Sequence, residues 1–231
     1  AAELLSMQKK QLEELDNLIK SVFHEMFGDP VLNENNWPIK TLNQISEIVS
    51  GITKGRKLSS TDIITRPYMR VANVKDSYID LTEIKTIEIS KRELEQYVLQ
   101  EGDLLLTEGG DPDKLGRGAV WKGYINECVH QNHIFRVRVD SAEINPEYMS
   151  MLIGSTYGKK YFLRAAKQTT GIASINMTQL KKFPVIIPPL PLQNQFATIV
   201  EKIEEQKPLV QKALDESQYL FDSLMDRYFG E

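Results

Sequence analysis

Cys128, His130 and His133 are the residues of this sequence whose types could hold a transition metal. They fall within the segment CVHQNH, which starts at Cys128. A structural zinc site needs four ligands, usually two close pairs of Cys or His from separate parts of the chain. The only other histidine is His24, so we predict no metal site. A single cysteine also excludes an internal disulfide, and we expect Cys128 to be buried like a small apolar residue.

The sequence motifs that accompany catalysis are missing. There is no nucleophile elbow, no phosphate-binding loop and no dinucleotide-binding glycine fingerprint. The glycine-rich stretch TEGGDPDKLGRG, at 107–118, lacks the Lys-Ser/Thr ending of a phosphate loop. An adenine methyltransferase would need an Asn/Asp-Pro-Pro-aromatic loop, which is absent as well. We therefore predict that the chain is not an enzyme, and we expect it to hold no cofactor of its own.

The charge distribution favours contact with a polyanion, although the net charge is −4. Residues 1–30 carry a net charge of −3, residues 191–231 carry −4, and residues 31–190 carry +3. From Tyr148 to Val200 there is no Asp or Glu, whereas six Lys and Arg fall inside that stretch. Such a basic surface is what phosphate contact requires. A solvated face with chance clustering of cations is the alternative.

Two turn-like segments have a composition that suits contact with the phosphates of a polyanion. In both, glycines allow close approach of the backbone, and cations, hydroxyls or backbone N–H groups can contact phosphate oxygens. The candidates in GITKGRK are Lys54, Arg56 and Lys57, and those in the acid-free stretch are Lys167, Thr169, Thr170, Gly171 and Ser174.

If the polyanion is nucleic acid, reading its bases requires side chains that form paired hydrogen bonds, with Arg suited to guanine and Asn or Gln suited to adenine. The candidates are Arg70, Asn73, Arg117, Gln131 and Asn132, followed by Lys75, Lys114 and His133. Alternatives remain open for several of them. Arg70 could instead form a structural salt bridge, and Gln131 and Asn132 could be ordinary turn residues. For Asn176 we expect a helix cap rather than a DNA contact.

Two long helices are predicted, one before and one after these segments in the sequence. Leu5, Leu12, Leu15 and Ile19 begin an apolar 3-4 spacing that predicts a helix over residues 3–27. The same spacing predicts a second helix over residues 192–229, with a kink or break at Pro208. Each helix has an apolar stripe that needs a partner, so we expect the two to form an antiparallel coiled coil.

The region between the helices has the pattern of a compact α+β domain with a mostly antiparallel sheet. Short strand-like runs alternate with Gly, Asp and Asn turns, and helices are predicted at 91–97, 146–166 and 176–181. The predicted strand-like runs are PYMRVANV, KTIEI, DLLLT, GAVWKG and HIFRVRV. The predicted organisation is an N-terminal helix at 1–30, an α+β domain at 31–190 and a C-terminal helix at 191–231.

The ends of the two predicted helices resemble each other. SVFHEMFGD at 21–29 aligns with SLMDRYFGE at 223–231, an offset of 202 residues at which Leu12 also matches Leu214. The shared Phe-Gly-acid terminus indicates one period of a tandem repeat. We therefore expect the chain to be either a fragment of a longer protein or a half-length subunit that pairs with its own copy.

The sequence as a whole resembles the specificity (S) subunit of type I restriction–modification systems. One part of the match is FPVIIPPLPLQNQFATIVEKIE at 183–204, and another is the helix ending HEMFGDP at 24–30. Between them, in the family order, lie GITKGR, YMRVANV, EGDLLLTEGG, LGRGAVW, HQNHIFRVR and TTGIASINMTQLKKFPV. The family normally carries two recognition domains, whereas this chain has one.

The resemblance implies that the domain reads one half of a split double-stranded DNA target while the helices set the spacing between halves. It implies partners as well: methyltransferase (M) subunits that bind S-adenosylmethionine, a restriction (R) subunit that uses ATP and Mg, and a second copy through the helices. We expect a cytoplasmic protein, with no signal peptide and no apolar run long enough to cross a membrane. Two rival hypotheses are a coiled-coil protein-interaction module and the detached specificity domain of a fused restriction–methylation enzyme.

Overall fold

A computed structural model describes residues 2–58, 62–110, 115–169 and 172–229. The chain divides into two compact units, one made of Ala1–Asp29 with Pro191–Glu231 and the other of Pro30–Leu190. The first unit is helical and the second is mixed. The expected α+β class with mostly antiparallel sheets and long terminal helices is confirmed. In the part of the chain that the structure describes, no helix is both long and apolar enough to span a membrane.

The elements are numbered along the chain. The helices are α1 (Ala2–Phe27), α2 (Leu42–Ile45), α3 (Lys91–Tyr97), α4 (Pro146–Gly154), α5 (Thr156–Ala165), α6 (Met177–Lys181), α7 (Leu190–Glu204) and α8 (Lys207–Phe229). The strands are β1 (Ile39–Thr41), β2 (Ser46–Ser50), β3 (Ile63–Met69), β4 (Lys85–Ser90), β5 (Leu104–Thr107), β6 (Gly109–Gly110), β7 (Gly118–Val120), β8 (Val129–His130), β9 (Ile134–Val139), β10 (Lys167–Thr169), β11 (Ile172–Ser174) and β12 (Pro184–Ile186).

The helical unit is an antiparallel arrangement in which α1 packs against α7 and α8. Near the end of α1, the rings of Phe23 and Phe27 make edge-on contacts with Phe196 of α7, with centroids 5.6 and 5.5 Å away. Near its middle, Asp16 accepts a hydrogen bond of 2.6 Å from Lys207 at the start of α8. Later residues of α1 therefore face earlier residues of the C-terminal segment, as the apolar spacing predicts.

The second predicted helix is interrupted, as the sequence indicates. It ends at Glu204 and resumes at Lys207, so that Pro208 occupies the first turn of α8. Proline is well tolerated there because the first backbone N–H groups of a helix have no acceptor in the preceding turn.

The mixed unit contains four small sheets within its described residues. The largest has the order β2-β9-β5-β7 and is antiparallel throughout. A second sheet, β4-β3-β8, has one parallel pair, between β3 and β8. The remaining sheets are the pair β1-β12 and the three-stranded β10-β11-β6.

Local capping explains where the short helices begin. Ser90 starts α3 by accepting from the backbone N–H of Glu93, and the Glu93 carboxylate accepts in return from Ser90. Asn176 caps α6 by accepting from Gln179, which confirms its predicted role. The predicted helix over 146–166 is two helices, because Ser155 takes an extended conformation and caps α5.

One predicted strand is shorter than expected. In PYMRVANV, β3 ends at Met69 and residues Val71–Asn73 form a turn of 3-10 helix. The cause is the side chain of Asn73, which accepts a 3.0 Å bond from the backbone N–H of Arg70. Asn side chains commonly compete with a sheet for backbone partners in this way.

The core of the mixed unit holds a buried ionic network beside its apolar residues. Asp103 is fully buried and accepts two hydrogen bonds, of 2.7 and 2.8 Å, from the guanidinium of Arg138. Arg136, 2% exposed, donates to Glu47 at 2.8 Å. Burial of such groups costs desolvation energy, so each needs its partner in place.

Candidate nucleic-acid interface

One edge of the four-stranded sheet collects segments that are far apart in the sequence. Ser50 at the end of β2 is paired with Phe135 near the start of β9, and Thr107 at the end of β5 is paired with Ile134. Leu106 is in turn paired with Gly118, the first residue of β7. Four connecting segments therefore leave the sheet at this edge, which we call the loop edge: 51–57, 108–110, 115–117 and 131–133.

Backbone hydrogen bonds join these segments to one another. The N–H of Asn132 donates to the carbonyl of Ile52 at 3.0 Å, and the hydroxyl of Ser50 donates to the carbonyl of Asn132 at 2.7 Å. On the other side, the N–H of Glu108 donates to the carbonyl of His133 at 3.0 Å. The turn at 131–133 is thus held between 50–52 and the end of β5.

The hairpin β10–β11 is attached to the same edge. Its second strand pairs with the glycines of β6, Ala173 with Gly110 and Ser174 with Gly109. Glycine is needed at position 109 because a Cβ there would lie 2.8 Å from the carbonyl oxygen of Ala173. This pairing brings Lys167 and Ser174 to the loop edge.

Three of the predicted phosphate contacts are exposed cations at this edge. Lys54, Lys57 and Lys167 are exposed and make no ion pair with any other described residue. Arg56 differs, because its guanidinium donates to Glu93 at 2.7 Å and to the carbonyls of Thr53 and Glu88. The hydrogen bond from Arg56 lowers the pKa of Glu93. Arg56 therefore fastens the 51–57 segment to the domain.

Arg117 is half-buried and makes no ion pair with a carboxylate of the described residues, among which 111–114 are not included. Its Nε atom is buried and has no hydrogen-bond partner among the described residues. It lies between Gly116, whose φ is +73°, and Gly118, where a Cβ would collide with the carbonyl oxygen of Leu105. The two glycines fix the course of the backbone at Arg117. A half-buried guanidinium that no described carboxylate neutralises is suited to an external acceptor.

Arg70 and Asn73 have internal partners. Arg70 donates to the carboxylate of Glu83 at 2.9 Å, and this hydrogen bond lowers the pKa of Glu83. Asn73 is 3% exposed and donates to the carbonyls of Asp80 and Glu83 while accepting from Arg70. Asn73 is therefore not placed to contact a base. Arg70 forms a structural salt bridge, which was the alternative interpretation of this residue. Lys75 pairs with Asp80 at 3.6 Å.

The turn at 131–133 presents three candidate base readers. Gln131 and Asn132 are half-buried, and their backbone N–H groups bond to Met69 and Ile52. His133 is exposed, and its Nδ1 lies 2.6 Å from a carboxylate oxygen of Glu108. The structure places these three residues in a turn, and that turn lies at the loop edge.

Some predicted contacts lie outside the described residues, namely Lys114, Thr170 and Gly171. Thr169 is described only through its backbone, which belongs to β10. The described candidates that the fold does bring together at the loop edge are Lys54, Arg56, Lys57, Arg117, Gln131, Asn132, His133, Lys167 and Ser174.

The sequence reasoning missed Glu108 as a site residue. Its side chain contacts His133, and its carbonyl accepts from the N–H of Ile175 just after the hairpin. A signal was present, because Glu108 stands between the apolar run LLLT and the Gly-Gly pair, where a strand ends. Its contact partner is 25 residues further along, and only the sheet pairing brings the two together.

The candidate metal ligands of the segment CVHQNH do not form a cluster in the described part of the chain. Cys128 is buried, and this burial raises the pKa of its thiol to about 12. His130 is also buried, with its ring nitrogens facing the carbonyls of Tyr97 and Val49, and burial lowers its pKa to about 4. Within the described residues, no group of three or more His, Cys, Asp or Glu could hold a metal ion.

The fold is thus a mixed domain, with basic and amide-bearing turns at one sheet edge, inserted between long helices. The chain belongs to the family of the type I restriction modification DNA specificity domain, whose profile matches residues 34–216. The match covers nearly the whole mixed unit and extends into α8.

Individual relatives agree with this assignment. Over 182 residues the chain is 28% identical to a protein of Methanocaldococcus jannaschii described as a type I restriction enzyme MjaX specificity subunit, covering 78% of this chain and 42% of that protein. It is 25% identical over 157 residues to the type I restriction enzyme EcoKI specificity subunit of Escherichia coli K12, covering 66% of this chain and 33% of that one. The chain therefore spans less than half the length of these curated relatives.

A solved structure shares the fold. The HsdS subunit from Thermoanaerobacter tengcongensis superimposes with a TM-score of 0.54 at 15% sequence identity, over 99% of this chain and 54% of that one. At this identity the likeness concerns the fold alone.

Proposed function

We propose that this chain recognises one half of a bipartite target in double-stranded DNA and takes part in DNA modification without catalysing a reaction itself. The observation that carries the proposal is the loop edge. There, several distant segments bring cations without an ion-pair partner among the described residues to the same edge as Arg117, Gln131 and Asn132. Family membership and the described relatives, which are named as specificity subunits, support it.

The residues divide into two roles. Lys54, Lys57 and Lys167 are exposed and not neutralised by any described carboxylate, so we assign them to phosphates, where they supply affinity that does not depend on sequence. We assign Arg117 and Asn132 to base reading, because both side chains can form paired hydrogen bonds in the major groove, with Arg suited to guanine and Asn to adenine. Phosphate contacts position the duplex, and base contacts provide the discrimination.

Chemistry on DNA then belongs to partner subunits. We propose that the helical unit docks methyltransferase subunits, which bring S-adenosylmethionine, and that a restriction subunit joins them with ATP and Mg. The detached domain of a fused enzyme is the competing case. Co-purification of the tagged chain with a separate methyltransferase supports the subunit assignment, because a fused enzyme needs no such partner.

A second copy or second repeat of this module would supply the other half-site reader. Exposed apolar residues on the last turns of α8, Leu220 and Leu224 among them, give the helical unit a surface for such pairing. At the offset of 202 residues Met225 corresponds to Phe23, which packs edge-on against Phe196. Light scattering of the purified chain, with and without the Leu220→Glu substitution, tests this pairing.

Fluorescence polarisation with random-sequence duplex tests DNA recognition itself. We expect the logarithm of the affinity to fall linearly with the logarithm of salt concentration, because each phosphate contact releases condensed counterions. Mapping methylated sites in cells that express the chain with its methyltransferase then gives the target sequence. An affinity that does not change with salt, or no detectable binding, favours the protein-interaction module instead.

A further inference from the structure

Glu108 and His133 form the one contact at the loop edge, within the described residues, that joins a carboxylate to a candidate base reader. A carboxylate oxygen of Glu108 lies 2.6 Å from Nδ1 of His133. Both side chains are reachable from solvent, at 36% and 57% exposure. A free carboxylate facing a phosphate backbone would oppose binding, so its presence here requires a reason.

The contact is not needed to hold the segments together. The backbone N–H of Glu108 already donates to the carbonyl of His133 at 3.0 Å. The carbonyl of Glu108 also accepts from the N–H of Ile175 at 2.9 Å. The main chain of Glu108 therefore ties the 131–133 turn to the segment after β11, and its side chain is available for a further role.

The side chain of Glu108 determines which nitrogen of His133 carries the hydrogen. An ionised carboxylate only accepts hydrogen bonds, so Nδ1 of His133 must be the donor in this contact. In a neutral imidazole the other nitrogen, Nε2, then keeps its lone pair and acts as an acceptor. Nε2 makes no hydrogen bond with any described residue, and the ring that carries it is exposed.

We infer that Glu108 is a positioning residue that holds His133 in this tautomer, so that Nε2 accepts a hydrogen bond from the amino group of a base in the major groove. This inference rests on the proposed function and names the chemistry read at one position. In the major groove, amino groups are presented by adenine at N6 and by cytosine at N4. His133 therefore selects adenine or cytosine on one strand, and rejects guanine and thymine, whose groove edges present acceptors.

The assignment complements the rest of the loop edge. Lys54, Lys167 and Arg117 are donors only, so they can match phosphate oxygens or the acceptors of guanine but not an amino group. A fixed acceptor among these donors lets the domain distinguish adenine from guanine at one base pair. Glu108 provides that acceptor indirectly, through its contact with Nδ1 of His133.

The experiment selects bound duplexes from a randomised library with the wild-type chain and with the variants His133→Ala, Glu108→Gln and Asp76→Ala. Glu108→Gln is the decisive variant, because glutamine can accept from Nδ1 through its carbonyl or donate to Nδ1 through its amide. It preserves a bond across the contact but no longer fixes the tautomer. Asp76, an exposed carboxylate paired with Lys159, provides a control for removal of one negative charge.

We expect the wild-type motif to contain one position restricted to adenine or cytosine. In His133→Ala and in Glu108→Gln, the preference for these bases at that position should fall by about threefold to tenfold, as the loss of one hydrogen bond predicts. Asp76→Ala should keep the whole motif. The inference is overturned if Glu108→Gln retains the wild-type preference at every position, or if the His133-dependent position is guanine or thymine. A wild-type chain that enriches no motif contradicts the proposed function instead.

Discussion

Two regions of the 30–190 unit carry cations in contrasting ways. Around strands β2, β3 and β9, the arginines are matched one to one by carboxylates: Arg66 by Glu127, Arg70 by Glu83, Arg136 by Glu47 and Arg138 by Asp103. At the loop edge the exposed lysines, together with Arg117, have no such partners within the described residues. We call these sets the paired region and the unpaired region.

Under the proposed function, the difference separates structural cations from cations assigned to DNA. In the paired region a buried charge is stabilised by its partner, and removal of either one leaves the other desolvated and uncompensated. In the unpaired region the exposed cations repel each other weakly and contribute little to folding, but they are free to neutralise phosphates. The residues that stabilise the domain are therefore different from those that we assign to DNA binding.

The largest expected effect is in the paired region. Replacing Asp103 with Ala leaves the half-buried guanidinium of Arg138 without its carboxylate, and we expect the free energy of unfolding to fall by about 3–5 kcal/mol. Urea denaturation followed by circular dichroism measures the change. Lys54→Ala, from the unpaired region, should stay within about 0.5 kcal/mol of wild type. Equal losses in both variants would remove the distinction between the regions.

His130, beside the paired region, gives a pH dependence of almost the same size. Burial lowers its pKa to about 4 in the folded protein, below the usual value of about 6.5 that it regains on unfolding. The unfolded state then binds more protons, so stability is fully present above pH 6.5 and is lost as pH falls towards 4. We expect His130 to account for a loss of about 3 kcal/mol, at 1.36 kcal/mol per pKa unit.

Urea denaturation at pH 7 and at pH 4.5 tests this, with His130→Gln and His133→Ala as the matched pair. The Gln variant should lose part of the acid sensitivity, whereas His133→Ala should keep it. An identical acid profile in all three proteins would show that other groups cause the destabilisation.

Local sequence information was sufficient for most of the elements. The apolar spacing in residues 3–27, the caps at Ser90 and Asn176, and the break before Pro208 depend on neighbours within a few residues. The long-range partners could not be predicted in the same way. Whether Arg70 pairs with Glu83 or remains free is decided by the pairing of β3 with β4, which no local pattern specifies.

The candidate site shows the same difference between local sequence information and long-range contacts. Composition identified the basic and amide-bearing turns, and the fold brings many of them to one sheet edge. Composition did not show that Asn73 would be buried, because its burial depends on carbonyls contributed by Asp80 and Glu83. Nor did it show that Glu108 would reach His133. The DNA contacts of Lys54, Arg117, Lys167 and the others stay predictions.

A smaller effect is expected at Arg117, the member of the unpaired region that is half-buried. Replacing it with Ala should relax discrimination at one base pair by about 1–3 kcal/mol, because a bidentate contact to guanine is lost. Competition binding with single-base variants of the selected duplex measures the loss. Arg117→Lys should not restore discrimination, since an ammonium lacks the planar fork of donors. If Arg117→Ala instead weakens binding to every duplex equally and Lys restores that affinity, Arg117 contacts a phosphate.

The smallest expected effects concern single lysines of the unpaired region, and they are best seen in the salt dependence of binding. For each of the variants Lys54→Ala and Lys167→Ala, the slope of log affinity against log salt should become shallower by about 0.9. This is the value for one lost phosphate contact on duplex DNA. The matched control is Lys122→Ala, because Lys122 follows β7 at the opposite end of the same sheet and pairs with Glu147 at 3.3 Å. All three substitutions remove one positive charge, so a general effect of net charge would change all three slopes alike. A slope that changes only at Lys54 and Lys167 locates the duplex at the loop edge, and three equal slopes would place it elsewhere on the domain.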